Sequence, residues 1–460
     1  MGTPPLQVSA VVPITDNDST VAIIGGGYAG MAAAVTLAAK NIQVTVFESA
    51  KQLGGRARGV IQHSTQLDNG QHILLGCYHN TLKLIEQVGG NLDQDFKRLP
   101  LQLTLHRRFE LKAPRLPAPL HLLVGFLFAK GLSYRARWQA ARFMLEMRNI
   151  NFKLEADESA LALLHRYRQD KELIRFLWEP ICISALNTPA HKASAQVLLN
   201  VLRDSLNGSR ADSDMMLPTL DFSALFPERA AHYIAKRGGN ILLSSGVESI
   251  TRHGHEFELH TDRSIQRFSK VICAATPSTT SRLFGLLPEL SETTRQIDAI
   301  SYQPIYTVYL QYTPEVTLPH PMLGLDQCIS QWLFDRGQIA NQHGLIAAVI
   351  SAEGIHQELT HEQLAQKVIA ELSEQFGIYH APLWFKVIAE KRATFSCEVN
   401  LPRPAHLTPI QNLFIAGDFT QGEYPATLES AVMSGIRCAN EIINNNESVP
   451  IRGVNLAAVH

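Results

Sequence analysis

Val21-Ala22-Ile23-Ile24 runs straight into Gly25-Gly26-Gly27-Tyr28-Ala29-Gly30, and no other stretch narrows the fold of this chain so far. A short apolar strand meets a glycine turn, a helical pattern follows over Ala32 to Lys40, and Val44 to Phe47 reads as a second strand ending on Glu48. That is a βαβ dinucleotide-binding unit, and each residue type has a mechanical reason. Gly25 permits the tight turn, Gly27 lets backbone approach a pyrophosphate, and Gly30 lets the helix pack close to the strand. The free N–H groups at the helix start favour phosphate. Glu48 is placed to take the hydroxyls of an adenosine ribose, and its charge disfavours a 2′-phosphate there. NAD or FAD remains.

Two further motifs choose between them. Leu53-Gly54-Gly55-Arg56-Ala57-Arg58 follows the acid at once, and an arginine on a second glycine turn can neutralise the pyrophosphate from the other side. Near the far end, Leu413-Phe414-Ile415-Ala416-Gly417-Asp418 is a strand running out to an acid, with a helix expected from about Ala426. Asp418 can bond a ribityl hydroxyl, and Thr427 and Leu428 at the helix start can stabilise charge on a flavin edge. Sites this far apart suit one long dinucleotide, FAD.

With these motifs the chain resembles the amine oxidase and phytoene desaturase flavoproteins. More narrowly, Leu67-Asp68-Asn69-Gly70-Gln71-His72-Ile73-Leu74-Leu75-Gly76, Leu186-Asn187-Thr188-Pro189, Glu390 to Phe395 and Tyr424 to Glu429 are similar to segments of hydroxysqualene dehydroxylases. The resemblance covers about Val21 to Asn440. It implies an α/β fold of amine oxidase type: a discontinuous Rossmann-type FAD-binding domain with an inserted α+β substrate domain. It also implies FAD-dependent reductive removal of the hydroxyl of hydroxysqualene, within squalene and hopanoid synthesis, drawing on an unidentified electron donor. Val247 matches, in related flavoproteins, a valine that covers the adenine through its backbone. A desaturase or amine oxidase, and a non-catalytic FAD-binding scaffold for squalene-forming enzymes, are the competing readings.

Composition sets outer bounds. A chain of 460 residues with net charge −1 has ample core and no global attraction for nucleic acid. Its six cysteines lack CxxC spacing and its histidines include no HExxH, so no metal site and no disulfide framework is expected, and a cytoplasmic setting follows. Cys397, ahead of the Gly417-Asp418 strand, could carry a covalent flavin link, though a plain buried thiol fits better. Residues 1–19 read as a flexible leader without a signal-peptide pattern.

The expected order is FAD-binding segments at 20–96, 233–290 and 387–443. Between them fall substrate and lid helices at 97–232 and a substrate-side sheet and helix at 291–386, with a tail from 444 to 460. Within the lid, Glu172 to Trp178 reads as a helix broken by Pro180. Leu116 to Ala129 contains no charged residue, and it sits in a region, Lys97 to Arg148, with eleven Lys or Arg against two acids. Too short to span a bilayer, this segment suits an interfacial helix, so peripheral contact with the inner face of a cytoplasmic membrane is expected. For chemistry, Asp68 and His72 are the first candidate acids or water relays, and Glu429 is a further one.

Overall fold

The computed structural model describes residues 20–118, 120–206 and 208–447. Around Val21–Ile24 it builds a five-stranded parallel sheet in the order Asn240–Leu242, Val44–Phe47, Val21–Ile24, Lys270–Cys273, Leu413–Ile415. Strands buried on both faces read as continuous apolar runs, and the central Val21–Ile24 and the Leu413–Ile415 strand are written that way and fully buried. The helix Tyr28–Ala38 starts inside the glycine turn rather than at Ala32, with Gly27 as N-cap. It is buried on nearly every side, because the sheet lies beneath it and the helices Pro227–Ala235 and Leu428–Glu447 pack over it. Gly435 of the last helix makes that contact close: a Cβ there would sit 2.1 Å from the Ala29 carbonyl oxygen.

The second large sheet has seven strands in the order Trp384–Phe395, Tyr302–Gln311, Leu345–Ser351, Trp332–Asp335, Met322–Gly324, Gln102–Leu105, Phe109–Lys112. The helix His361–Phe376 covers one face through Leu364, Val368 and Leu372. Three expected divisions fall inside elements of the structure. Trp384–Phe395 is hydrogen-bonded along its length to Tyr302–Gln311, so residue 387 falls inside a strand of this sheet and the return to the nucleotide-binding half comes after Phe395. Pro227–Ala235 packs on Tyr28–Ala38, so that half resumes before residue 233. Leu428–Glu447 carries the last helix into the segment expected as a tail. The expected leader, and the tail beyond 447, lie outside the described residues.

Pro180 does not break its helix. Lys171–Leu186 runs on through a wide turn, Ile174–Trp178, in which the Glu179 N–H donates to the Ile174 carbonyl five residues back. The widened turn precedes the proline and makes room for its ring. The helix then ends at Asn187, whose φ of 46° makes the left-handed cap.

Candidate functional site

The two glycine turns are one structure. Gly25 has φ 109°, and a Cβ on it would lie 2.5 Å from the Ala274 carbonyl oxygen; one on Gly30 would lie 2.0 Å from that of Gly25. Both positions therefore close the turn onto sheet and helix. Gly27 differs: a Cβ there would meet only the Gly55 Cα, at 3.9 Å, because its other side opens onto a cavity. The Gly54 N–H donates to the Gly26 carbonyl at 2.9 Å, docking the second turn against the first. Their facing N–H groups, with the helix start behind them, make a cradle for phosphate.

The cavity beside them has a volume of about 990 Å³, at the top of the usual range for small-molecule sites. It begins at Gly25, Glu48 and Val247, passes Gly27, Gly55 and Arg56, and continues by Gly417, Asp418, Thr427 and Leu428. Its far end lies under the seven-stranded sheet, against Ile305, Met322, Trp332, Phe334 and Val349. Residues from opposite ends of the sequence thus line one space.

Glu48 is fixed by hydrogen bonds from the N–H groups of Gly26 and Ala50, each 2.7 Å. Arg56 and Asp418 meet across 362 positions of sequence: the guanidinium donates to Asp418 Oδ1 at 2.5 Å and to the Ala393 carbonyl at 2.7 Å. Burial pulls the Arg56 pKa down, but the adjacent Asp418 charge and hydrogen bond outweigh it and hold the cation firmly. The sequence expectation sets Arg56 on a pyrophosphate; here its guanidinium pairs with Asp418. Thr427 Oγ1 accepts the Ser430 N–H, capping the last helix so that its start faces the cavity.

The three candidate acids separate. His72 lines the cavity. Its Nδ1 lies 2.7 Å from the Gly70 carbonyl oxygen, which can only accept, so Nδ1 carries the hydrogen and Nε2 is left as the basic nitrogen. Burial lowers the His72 pKa; the Gly70 carbonyl opposes this and the Arg56 charge adds to it, so the ring is neutral at pH 7. Asp68 turns away from the cavity. Its Oδ1 accepts the Phe222 N–H at 2.9 Å, and burial raises its pKa to about 7 against the pull of Arg336. Glu429 is a structural cap. Its carboxylate takes the N–H and side-chain amide of Asn80 and the N–H and hydroxyl of Thr81, at 2.6–3.0 Å. Those two residues open the helix His79–Gln87, whose own N-cap Tyr78 provides no side-chain bond. An acid from another helix fills the vacancy, so Glu429 leaves the set of candidate acids.

Tyr424 is also turned aside, donating its hydroxyl to Asp204. Cys397 is buried away from the cavity, its thiol pushed up to about 12 by burial, and is not placed for a flavin link. Other lining groups carried no sequence signal of their own. Tyr302 and Trp332 are aromatics in strands that carry other aromatics, and nothing in the sequence sets them apart. Arg336, buried and donating to Gln71 Oε1 at 3.3 Å, backs the cavity wall from a short helix. Asn187 was legible only as a turn, yet its amide ties that turn to Thr394 Oγ1 at 2.9 Å and to the Ala352 N–H at 2.7 Å.

Two docked glycine turns, Glu48, the Arg56–Asp418 pair and the start of the last helix thus share one elongated cavity, as a long dinucleotide requires. The comparisons with known proteins make the chain a flavin-dependent oxidoreductase. The chain belongs to the flavin-containing amine oxidoreductase family, whose model matches residues 28–443. Within it, the chain is similar to hydroxysqualene dehydroxylases. It is 26% identical to that of Zymomonas mobilis subsp. mobilis over 93% of this chain and 100% of the relative. A zeta-carotene desaturase of Zea mays is 23% identical, over 93% and 84% respectively. Among solved structures, an oxidoreductase from Methanosarcina mazei superposes with TM-score 0.73 at 16% identity, covering 92% of this chain and 100% of that one, which shows the shared fold.

Proposed function

We propose that this protein binds FAD and reduces hydroxysqualene to squalene, with release of water. The observation that carries the reading is the single cavity joining the glycine cradle to an apolar chamber under the seven-stranded sheet. A soluble polar substrate has no use for walls of Met322, Trp332, Phe334 and Val349, whereas prenyl chains do. Glu48, the Gly25–Gly30 turn, Gly55, Arg56, Asp418 and the Thr427–Leu428 helix start would hold the cofactor, with Val247 over its adenine. When bound and reduced, FAD supplies a hydride and its electron pair.

The remaining work falls to the chain. The apolar chamber holds the prenyl chains and excludes water from the allylic carbon. Loss of the hydroxyl needs a proton, so that the leaving group is water rather than hydroxide. His72 is the residue proposed to deliver it: once protonated, its Nε2 becomes a donor. Carbon–oxygen cleavage yields an allylic cation, hydride closes it, and the sum is alcohol plus hydride plus proton to hydrocarbon plus water. The desaturase reading runs electrons the other way, out of the hydrocarbon, and its support is the similarity to zeta-carotene desaturases.

Anaerobic mixing of photoreduced protein with hydroxysqualene decides between them. The expected result is flavin reoxidation with stoichiometric squalene. Reduced flavin that persists, with hydroxysqualene recovered intact, overturns the proposal.

A further inference from the structure

The helix Leu120–Leu127 departs from the rule for surface helices. It buries His121, Leu122, Gly125 and Phe126, and its outer side carries Leu120, Leu123 and Leu127 (55% exposed), followed by Phe128 (77%). A helix apolar on both faces belongs inside a protein or against a membrane, yet this one lies at the surface. The helix Tyr134–Asn149 extends the patch with Tyr134 (86% exposed) and Trp138 (68%), one turn apart, and with Leu145. Arg137 binds the two helices together by donating to the Leu127 and Leu132 carbonyls, and it stacks on Tyr134 at 5.0 Å. The aromatic side chains therefore project from a braced surface. Arg115, Arg135, Arg142 and Arg148, all exposed, stand among them, as does Lys130, which pairs with Glu110; from 115 to 148 the sole acid is Glu146, paired with Arg142.

We propose that this face docks the protein on an anionic lipid bilayer, with Leu123, Leu127, Phe128 and Trp138 entering the headgroup–acyl boundary and the arginines meeting lipid phosphates. Charge complementarity selects the occupant. A second copy of the chain would bring like charges together, whereas an anionic leaflet matches both the apolar patch and its cations. Trp and Tyr beside aliphatic residues suit the interfacial zone. Eight residues cannot cross a bilayer, so the helix lies in the interface plane. Its position is apt. It follows Phe109–Lys112, the edge strand of the sheet whose Met322, Trp332 and Phe334 line the cavity. The inference stands on this surface alone and survives failure of the reaction proposed above.

The test is co-sedimentation of the full chain with phosphatidylglycerol–phosphatidylcholine vesicles and with phosphatidylcholine alone, paired with tryptophan emission. Binding is expected on the anionic vesicles, weakening as salt rises, with a blue shift that Trp138→Phe abolishes. Arg115→Ser, Arg135→Ser and Arg148→Ser should each lower the partition coefficient about fivefold. Phe128→Ser with Leu127→Ser should release the protein, with circular dichroism checking that it stays folded. Equal binding by these variants, binding indifferent to lipid charge, or a dimer in solution that Phe128→Ser dissolves would each overturn the proposal.

Discussion

Glu429→Ala is expected to loosen a helix and leave turnover intact. The carboxylate accepts four hydrogen bonds from Asn80 and Thr81 at the start of His79–Gln87. Asn80 is half-buried, so water replaces most of what its two donors lose. Thr81 is 1% exposed, and its N–H and hydroxyl lose their partner outright. Hydrogen bonds to a charged group contribute roughly 1.5–3 kcal/mol each. Two of them, less what the hydroxyl recovers by rotating, make a loss of about 3 kcal/mol. Unfolding entropy near 2.1 cal/mol/K per residue over 460 residues sets about 1 kcal/mol per degree, so Tm should fall by about 3 °C. Glu429→Gln, with its oxygen turned to Thr81, should fall by about 1 °C. Thermal unfolding by circular dichroism reads the first quantity, and squalene formation at 20 °C below Tm reads the second. An unchanged Tm with turnover reduced a hundredfold would refute the structural assignment and return Glu429 to the chemistry.

Asp418→Ala should purify with little flavin, since it removes the proposed ribityl acceptor and leaves Arg56 without its carboxylate; Asp418→Asn should keep an intermediate amount. Full flavin absorbance in the alanine variant would contradict that placement. His72→Phe should retain flavin but lose roughly 10²-fold or more in turnover. Because the His72 pKa is lowered, the donor form grows as pH falls, so wild-type turnover should rise toward acid and the variant's should not; matching pH profiles would exclude His72 as donor. Asp68 provides a stability test. Its folded pKa of about 7 lies above the ordinary aspartate value of 3.8, so the folded state holds the proton more tightly than the unfolded one. Stability should be greatest below pH 4 in this term and decline by up to about 1.4 kcal/mol per pH unit as pH rises to 7. Asp68→Asn should flatten that slope in urea titrations, and an unchanged slope would show that Asp68 is ionised throughout.

The parts of the site that sequence reading reached are those whose instructions are local. Gly25 must turn with φ 109°, and the strands on either side of the helix are short and β-branched-rich, so the βαβ unit is legible within thirty residues. The wide turn before Pro180 was not legible, because it depends on a hydrogen bond five residues back that composition does not announce. Nor was Arg336, which reaches Gln71 across 265 positions.

Sequence alone determined the paired glycine turns, the acids at strand ends and the existence of an uncharged apolar helix amid cations, because turn geometry and periodicity act between neighbours. The tertiary structure decided which of those groups line the cavity. Asp418 and Glu429 stand eleven positions apart near one helix start, yet one lines the cavity beside Arg56 and the other is spent on a helix end 348 positions away. The run Leu120–Leu127 would read identically as buried or exposed. Packing covers one side of it and leaves the other open, since no neighbouring element of the described chain is placed to bury that second face.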